Sequence, residues 1–102
     1  MRASVALLIA FALTACGGPG DTEVLVKGFR FQPREVTVGI GETVTWSQQD
    51  DTLHTVTSEG LFDSKDLAQG ETFSFTFERA GSYRYLCEKH PEGMRGTVTV
   101  TE

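Results

Sequence analysis

From Glu23 onward, apolar residues recur at every second position in short runs. Val24 and Val26 alternate with Leu25 and Lys27, Val36 and Val38 flank Thr37, and Val44 and Trp46 flank Thr45. Phe73, Phe75 and Phe77 alternate with Ser74 and Thr76; Tyr83, Tyr85 and Cys87 then share one face, and Val98 and Val100 share another. Successive side chains of a strand point to opposite sides of a sheet, so this period of two predicts half-buried antiparallel strands. No 3.6-residue period runs through the same segment. The runs break at Pro33, at Gly39 to Gly41, at Gly60, at Gly70 and at Ala80-Gly81, residues that favour turns. Breaks roughly ten residues apart predict an all-β fold, a Greek-key sandwich or barrel. The longest stretch without alternation, Thr57 to Glu71, carries turn residues and a predicted helical turn over "DSKDLA".

The N-terminus follows another pattern. "MRASVALLIAFALTAC" has one Arg, an apolar run from Ala3 to Leu13 and a close on small residues, the layout of a secretory signal peptide. A run of that length is too short for a mature membrane span, which takes roughly 20 residues. Leu13-Thr14-Ala15-Cys16 resembles a bacterial lipobox, which implies removal of residues 1–15 and lipidation of Cys16. Acyl chains, at about 0.8 kcal/mol per buried CH₂, would hold the protein on the outer side of the cytoplasmic membrane. "GGPGDT" has the composition of a flexible tether, so residues 16–22 are read as a linker and residues 23–102 as one small domain.

Composition narrows the partners. The chain has 102 residues, 39% of them hydrophobic, and a net charge of −5. Without Arg2, eight basic residues face fourteen acidic ones, a net of −6. Phosphate backbones are held by clustered Lys and Arg, so nucleic acid is not an expected partner. A protein partner with a basic docking face is. The two Cys would ordinarily suggest a disulfide in an exported protein. A lipidated Cys16 leaves Cys87 as a lone thiol in an oxidising compartment, exposed to oxidation unless it is buried or bound to something soft. A domain of about 80 residues has a small core, and a bound metal would add to its stability.

The segment "CEKHPEGM" brings Cys87, His90 and Met94 together, in a chain with two Cys, two His and two Met. Each has an ordinary alternative: a lone Cys or Met usually packs in a core, and a single His on a strand usually has no special role. Once Met1 and Cys16 are set aside, every remaining Cys, His and Met belongs to one constellation with His54, the only other His. His54 follows a polar loop at the start of a strand, where a Greek-key sandwich can bring it beside Cys87 and His90. Thiolate and thioether are soft donors that favour copper, and a trigonal His₂Cys set with a weaker axial Met is the blue-copper arrangement. Zinc accepts Cys and His but gains little from Met.

On these residues the chain resembles the cupredoxins, in particular the plastocyanin and amicyanin group of small blue copper proteins. The resemblance covers residues 23–102 and is most specific in "AGSYRYLCEKHPEGMRGTVTV", supported upstream by "PREVTVGIGETVTW" and "HTVTSEGLFDS". It implies His54 and His90 as imidazole ligands, Cys87 as thiolate, Met94 as axial thioether, and electron exit at His90 beside Pro91 and Gly93. The chain departs from the group's pattern at Thr55 and Glu88, where Asn and Ser or Thr usually make a hydrogen bond across the site. Lys89 stands where Pro is common, and three residues separate His90 from Met94.

The expected function is an exported, lipid-tethered, monomeric carrier that holds one copper ion and passes electrons between a donor and an acceptor protein. No open coordination position or general base is evident, so enzymatic activity is not expected. Two alternatives stand beside it: a copper-handling protein that delivers or stores the ion, and a metal-free β-sandwich serving as an interaction module.

Overall fold

The computed structural model describes residues 21–102, so the expected signal peptide, Cys16 and most of the tether lie outside the described residues. Among the described residues there are nine strands: β1 (Asp21–Val26), β2 (Phe31–Gln32), β3 (Glu35–Gly39), β4 (Thr43–Gln48), β5 (Thr57–Ser58), β6 (Phe62–Asp63), β7 (Thr72–Thr76), β8 (Gly81–Leu86) and β9 (Arg95–Thr101). They form two sheets, one of four strands in the order β2-β1-β4-β7 and one of five in the order β3-β9-β8-β5-β6. The all-β sandwich expected from the alternation is the observed architecture. β1 starts at Asp21, whose partner is Thr43, so the first sheet takes in two residues assigned above to the linker.

Every alternating run lies on a strand or runs into its end, with its apolar face turned inward. Val24, Trp46 and Phe73 are register partners across three strands of one sheet, as are Val36, Val98 and Tyr83 in the other. Val24, Val26, Val44, Trp46 and Val98 are completely buried. Burying each such side chain contributes roughly 1.5–3 kcal/mol. The sheets meet through aromatic rings: Trp46 lies 5.5 Å from Phe62 and 5.2 Å from Tyr85, centroid to centroid, and Phe77 crosses Phe62 edge to face.

Two expectations are corrected. Both sheets are mixed rather than antiparallel, because β1 pairs with β4 and β3 with β9 in parallel. Connections that cross between sheets return each strand beside a neighbour running the same way. The helical turn over "DSKDLA" is absent. Leu67 instead makes an isolated antiparallel bridge with His54, Leu67 N–H donating to the His54 carbonyl at 2.7 Å and His54 N–H to the Leu67 carbonyl at 3.2 Å. Ser64 N–H donates to the Val56 carbonyl and Lys65 takes a φ of 63°, so these backbone groups serve cross-strand contacts that a helical turn would forfeit.

The chain directions define two poles. β1 and β4 end together at Val26 and Gln48, beside the end of β8, and Cys87 follows directly. At the opposite pole lie Asp21, Thr43, Gly81 and Val100.

Candidate metal centre

His54, Cys87 and His90 meet at the first pole. One ligand atom from each lies within 4.8 Å of the other two, and Cys87 Sγ is 3.7 Å from His54 Nδ1. His54 and Cys87 are fully buried, and His90 is half-buried. Met94 is buried at the end of the same loop, leaving Pro91, Glu92 and Gly93 exposed.

Backbone hydrogen bonds shape this loop. Leu86 and Arg95 are the last register pair of β8 and β9, and the next pair outward, Cys87 and Met94, is joined by Cys87 N–H donating to the Met94 carbonyl at 3.0 Å. Within the loop His90 N–H donates to the Cys87 carbonyl at 3.0 Å and Met94 N–H to the His90 carbonyl at 3.1 Å. The six residues between Cys87 and Met94 therefore close as consecutive tight turns, which aim His90 back toward Cys87. Lys89 reaches Asp66 at 3.2 Å, an exposed ion pair worth at most about 1 kcal/mol, and so touches the segment that carries Leu67.

The link expected from Asn and Ser or Thr is made here by other groups. Thr55 N–H donates to Cys87 Sγ at 3.3 Å, and Thr55 Oγ1 accepts from Glu88 N–H at 2.9 Å. One residue thus ties the segment bearing His54 to the thiol itself and to the backbone amide that follows it. Since the accepting hydroxyl belongs to Thr55 and the donor is main chain, the side chain at position 88 is not needed for the link and points to solvent.

His54 is oriented from its other edge. Its Nε2 lies 2.9 Å from Asp50 Oδ2, which leaves Nδ1 facing Cys87. Asp50 also accepts from Gly28 N–H and Phe29 N–H, each at 2.9 Å. Partial burial pushes the Asp50 carboxyl up, but the Phe29 and Gly28 amides and His54 more than offset this and hold it below the ordinary carboxylate range. Gly28 and Phe29 are the central residues of the hairpin between β1 and β2, with φ of 66° and 59°, the twist that two-residue hairpins favour. A Phe rarely adopts a positive φ. Here it sets the Phe29 ring edge to face against both imidazoles, 5.0 Å from His54 and 4.8 Å from His90. Gln48, fully buried, braces the loop ahead of His54 by donating to the Thr52 and Leu67 carbonyls and accepting from Asp50 N–H.

Asp50 and Phe29 were not among the candidate residues. A carboxylate four positions before His54 in "QQDDTLH" is a signal that could have pointed to Asp50; nothing near Phe29 in the sequence marks it.

The cupredoxin-like domain family matches residues 2–100. The chain belongs to the cupredoxins. It is 39% identical to plastocyanin of Scenedesmus fuscus over 83 residues, covering 69% of this chain and 85% of that protein. It is 36% identical to amicyanin-alpha of Methylorubrum extorquens over 87 residues, covering 79% and 72% respectively. Among solved structures, a Cu(I) form of an amicyanin variant superposes with a TM-score of 0.76 at 30% identity, covering 82% of this chain and 85% of that one.

The donor set of this cupredoxin suits a soft ion. Imidazole and thiol groups converge, two of the three residues fully buried, and His90 Nε2 is buried without a hydrogen-bond partner among the described residues. Buried polar atoms seldom lack partners, and metal sites are one place where they do. The Cys87 thiol is shielded from solvent, the condition under which it resists oxidation.

Proposed function

We propose that the protein is a blue copper electron carrier in which His54, Cys87 and His90 would hold the ion, with Met94 as the weaker fourth donor. The observation that carries this reading is the convergence of two imidazoles and a buried thiol at one pole of a cupredoxin sandwich. Bound there, copper would supply a centre that cycles between Cu(I) and Cu(II). The chain's part is to keep the donors still while the electron moves. His54 is held by Asp50 at one edge and by its backbone bridge to Leu67; Cys87 is held by β8 and by Thr55; His90 is held by the turns of its loop and by Phe29. A framework fixed before the electron arrives needs little rearrangement when it does.

His90 is the ligand nearest the surface, and the exposed Pro91 and Gly93 beside it make this pole the face offered to a redox protein. No catalytic role is assigned to any residue. The chain is proposed to act as a monomer, exported and anchored through lipid on Cys16, with residues 1–15 removed and a short linker joining the anchor to the domain. Export is supported by the leader sequence. The linker would join the domain at Asp21, at the pole opposite His90. β1 makes five steps of about 3.3 Å between the poles, so Asp21, where the linker would join, lies roughly 17 Å from the pole that carries His90. The net charge of −6 beyond residue 15 favours a partner whose overall charge is positive.

The test is the visible absorption spectrum of the purified protein with Cu(II), beside Cys87→Ser. The expected result is an intense thiolate-to-copper band that bleaches reversibly with reductant and is missing from the variant. A protein that stays colourless, or whose colour is indifferent to Cys87, refutes the proposal.

A further inference from the structure

Although the chain is acidic, three of its arginines gather at one place beside the ligand loop. Arg30, Arg34 and Arg95 border a recess of about 350 Å³ that is otherwise lined by Phe31, Gln32, Pro33 and Gly93, with no carboxylate among the lining residues. All three are exposed. The ion pairs within 4.0 Å among the described residues are Asp50 with His54, Asp63 with Lys65 and Asp66 with Lys89, so none of these arginines is in one, although Arg34 and Arg95 also border an adjoining recess that carries Glu35, Glu59, Asp63 and Glu88.

The fold brings them together from three parts of the chain. Arg30 closes the β1–β2 hairpin, exchanging backbone hydrogen bonds with Lys27. Arg34 leads into β3, and its carbonyl accepts from Thr97 N–H at 3.0 Å, which stitches this turn to β9. Arg95 directly follows Met94, and its Nε donates to the Pro91 carbonyl at 2.7 Å. That bond lays the guanidinium along the ligand loop, and its terminal nitrogens make no hydrogen bond among the described residues. The recess therefore shares Gly93 and Arg95 with the loop that positions His90. A body that approaches His90 closely enough to exchange an electron covers it.

We propose that the recess bordered by Arg30, Arg34 and Arg95 is a docking edge that receives carboxylates on the face of the redox partner. The inference rests on the electron-carrier reading above and deepens it. Guanidinium forks pair with carboxylates in a planar, two-pronged geometry, and three unpaired like charges on one rim favour an anionic counterpart. A lipid surface is the poorer occupant, because β1 begins at Asp21, at the pole opposite the recess, and the net charge of the domain is negative. Against a net charge of −6, a local positive edge selects orientation: the partner is turned so that its acidic patch meets the recess while its remaining basic charge faces the acidic surface.

The test uses copper-loaded, reduced protein oxidised by hexacyanoferrate(III), an anion standing in for partner carboxylates, and by the cationic tris(1,10-phenanthroline)cobalt(III). Arg30→Gln and Arg34→Gln are compared with Arg79→Gln, which removes the same charge near the opposite pole; retention of the visible band shows that each variant is folded and loaded. A charge about 10 Å from a trivalent anion at about 10 mM salt changes its rate roughly fourfold, and one about 25 Å away less than about 1.5-fold. The expected result is that Arg30→Gln and Arg34→Gln each slow hexacyanoferrate about fourfold and do not slow the cobalt complex. Arg79→Gln should do little, and the differences should vanish at about 1 M salt. Equal slowing by all three variants, or by none, overturns the docking edge while leaving the electron carrier intact. Failure of the loaded wild type to react with either complex overturns both. Binding to phosphatidylglycerol vesicles that is lost in Arg30→Gln and Arg34→Gln assigns the edge to a membrane and overturns the proposal.

Discussion

Replacing Thr55 by Val isolates the link between the His54 segment and the ligand loop. Val keeps the branched shape and the backbone, so Thr55 N–H still reaches Cys87 Sγ. The variant loses the oxygen that accepts from Glu88 N–H at 2.9 Å and that pairs with Thr57 Oγ1 at 3.0 Å. Thr57 Oγ1 retains a contact with Asp63 Oδ1 at 3.3 Å, whereas Glu88 N–H has no other acceptor among the described residues, so most of the cost comes from that amide. Leaving a buried donor unsatisfied costs about 1–3 kcal/mol, and the partial burial of this site favours the lower half of that range. For a domain of this size 1 kcal/mol moves Tm by roughly 4–8 °C, so metal-free Thr55→Val should melt about 5–15 °C below the wild type. In urea the midpoint should fall with the slope m unchanged, since the surface exposed on unfolding is the same. Thr55→Ser, which restores the oxygen, should recover most of the loss. Equal midpoints for wild type and Thr55→Val, or no recovery in Thr55→Ser, would refute the argument that this hydroxyl carries the link.

Two further predictions concern the wall beneath the site. The Tyr85 hydroxyl is buried with no well-formed hydrogen bond among the described residues, and burial raises the phenol to about 12 against a smaller lowering by the neighbouring Trp46 indole N–H. A folded pKa above the unfolded value of about 10 means that stability is fully present below pH 10 and is lost as pH rises toward 12. Urea unfolding of wild type across that window should show a decline of about 2–3 kcal/mol that Tyr85→Phe lacks, and at pH 7 the variant should be as stable as wild type or slightly more so. Parallel decline in both proteins would dismiss Tyr85 as the source. Gly96 lies directly under the same side chain, where an added Cβ would fall on the Tyr85 hydroxyl and ring. Gly96→Ala should therefore cost about 1–3 kcal/mol by thermal unfolding, although the position is in a strand, where Ala ordinarily does better than Gly. A neutral or stabilising effect would show that Tyr85 can move aside.

Much of this protein is written locally in its residues. A period of two needs only neighbouring positions, so the alternation from Val24 to Val100 marked the principal strands and their buried faces, and the scarcity of soft donors drew attention to His54, Cys87, His90 and Met94. Which strands pair, and in which direction, depends on partners twenty or more positions apart. Alternation is the same in a parallel ladder as in an antiparallel one, so the β1–β4 and β3–β9 pairs became visible only in the fold. The segment Asp63 to Ala68 lacks its expected helical turn for a related reason: its backbone groups are engaged by His54 and Val56 from across the chain. The groups around the ligands were hidden in the same way. Phe29 reaches the imidazoles through a hairpin whose positive φ angles bring its amide to Asp50; Thr55 takes over a link usually made by a different side chain; Arg30, Arg34 and Arg95 become one charged edge because β9 lies beside the β2–β3 turn. Residue types and spacing decided what chemistry the chain could offer. Tertiary contacts, which set distance and direction between remote side chains, decided how those groups are held and which face they turn outward.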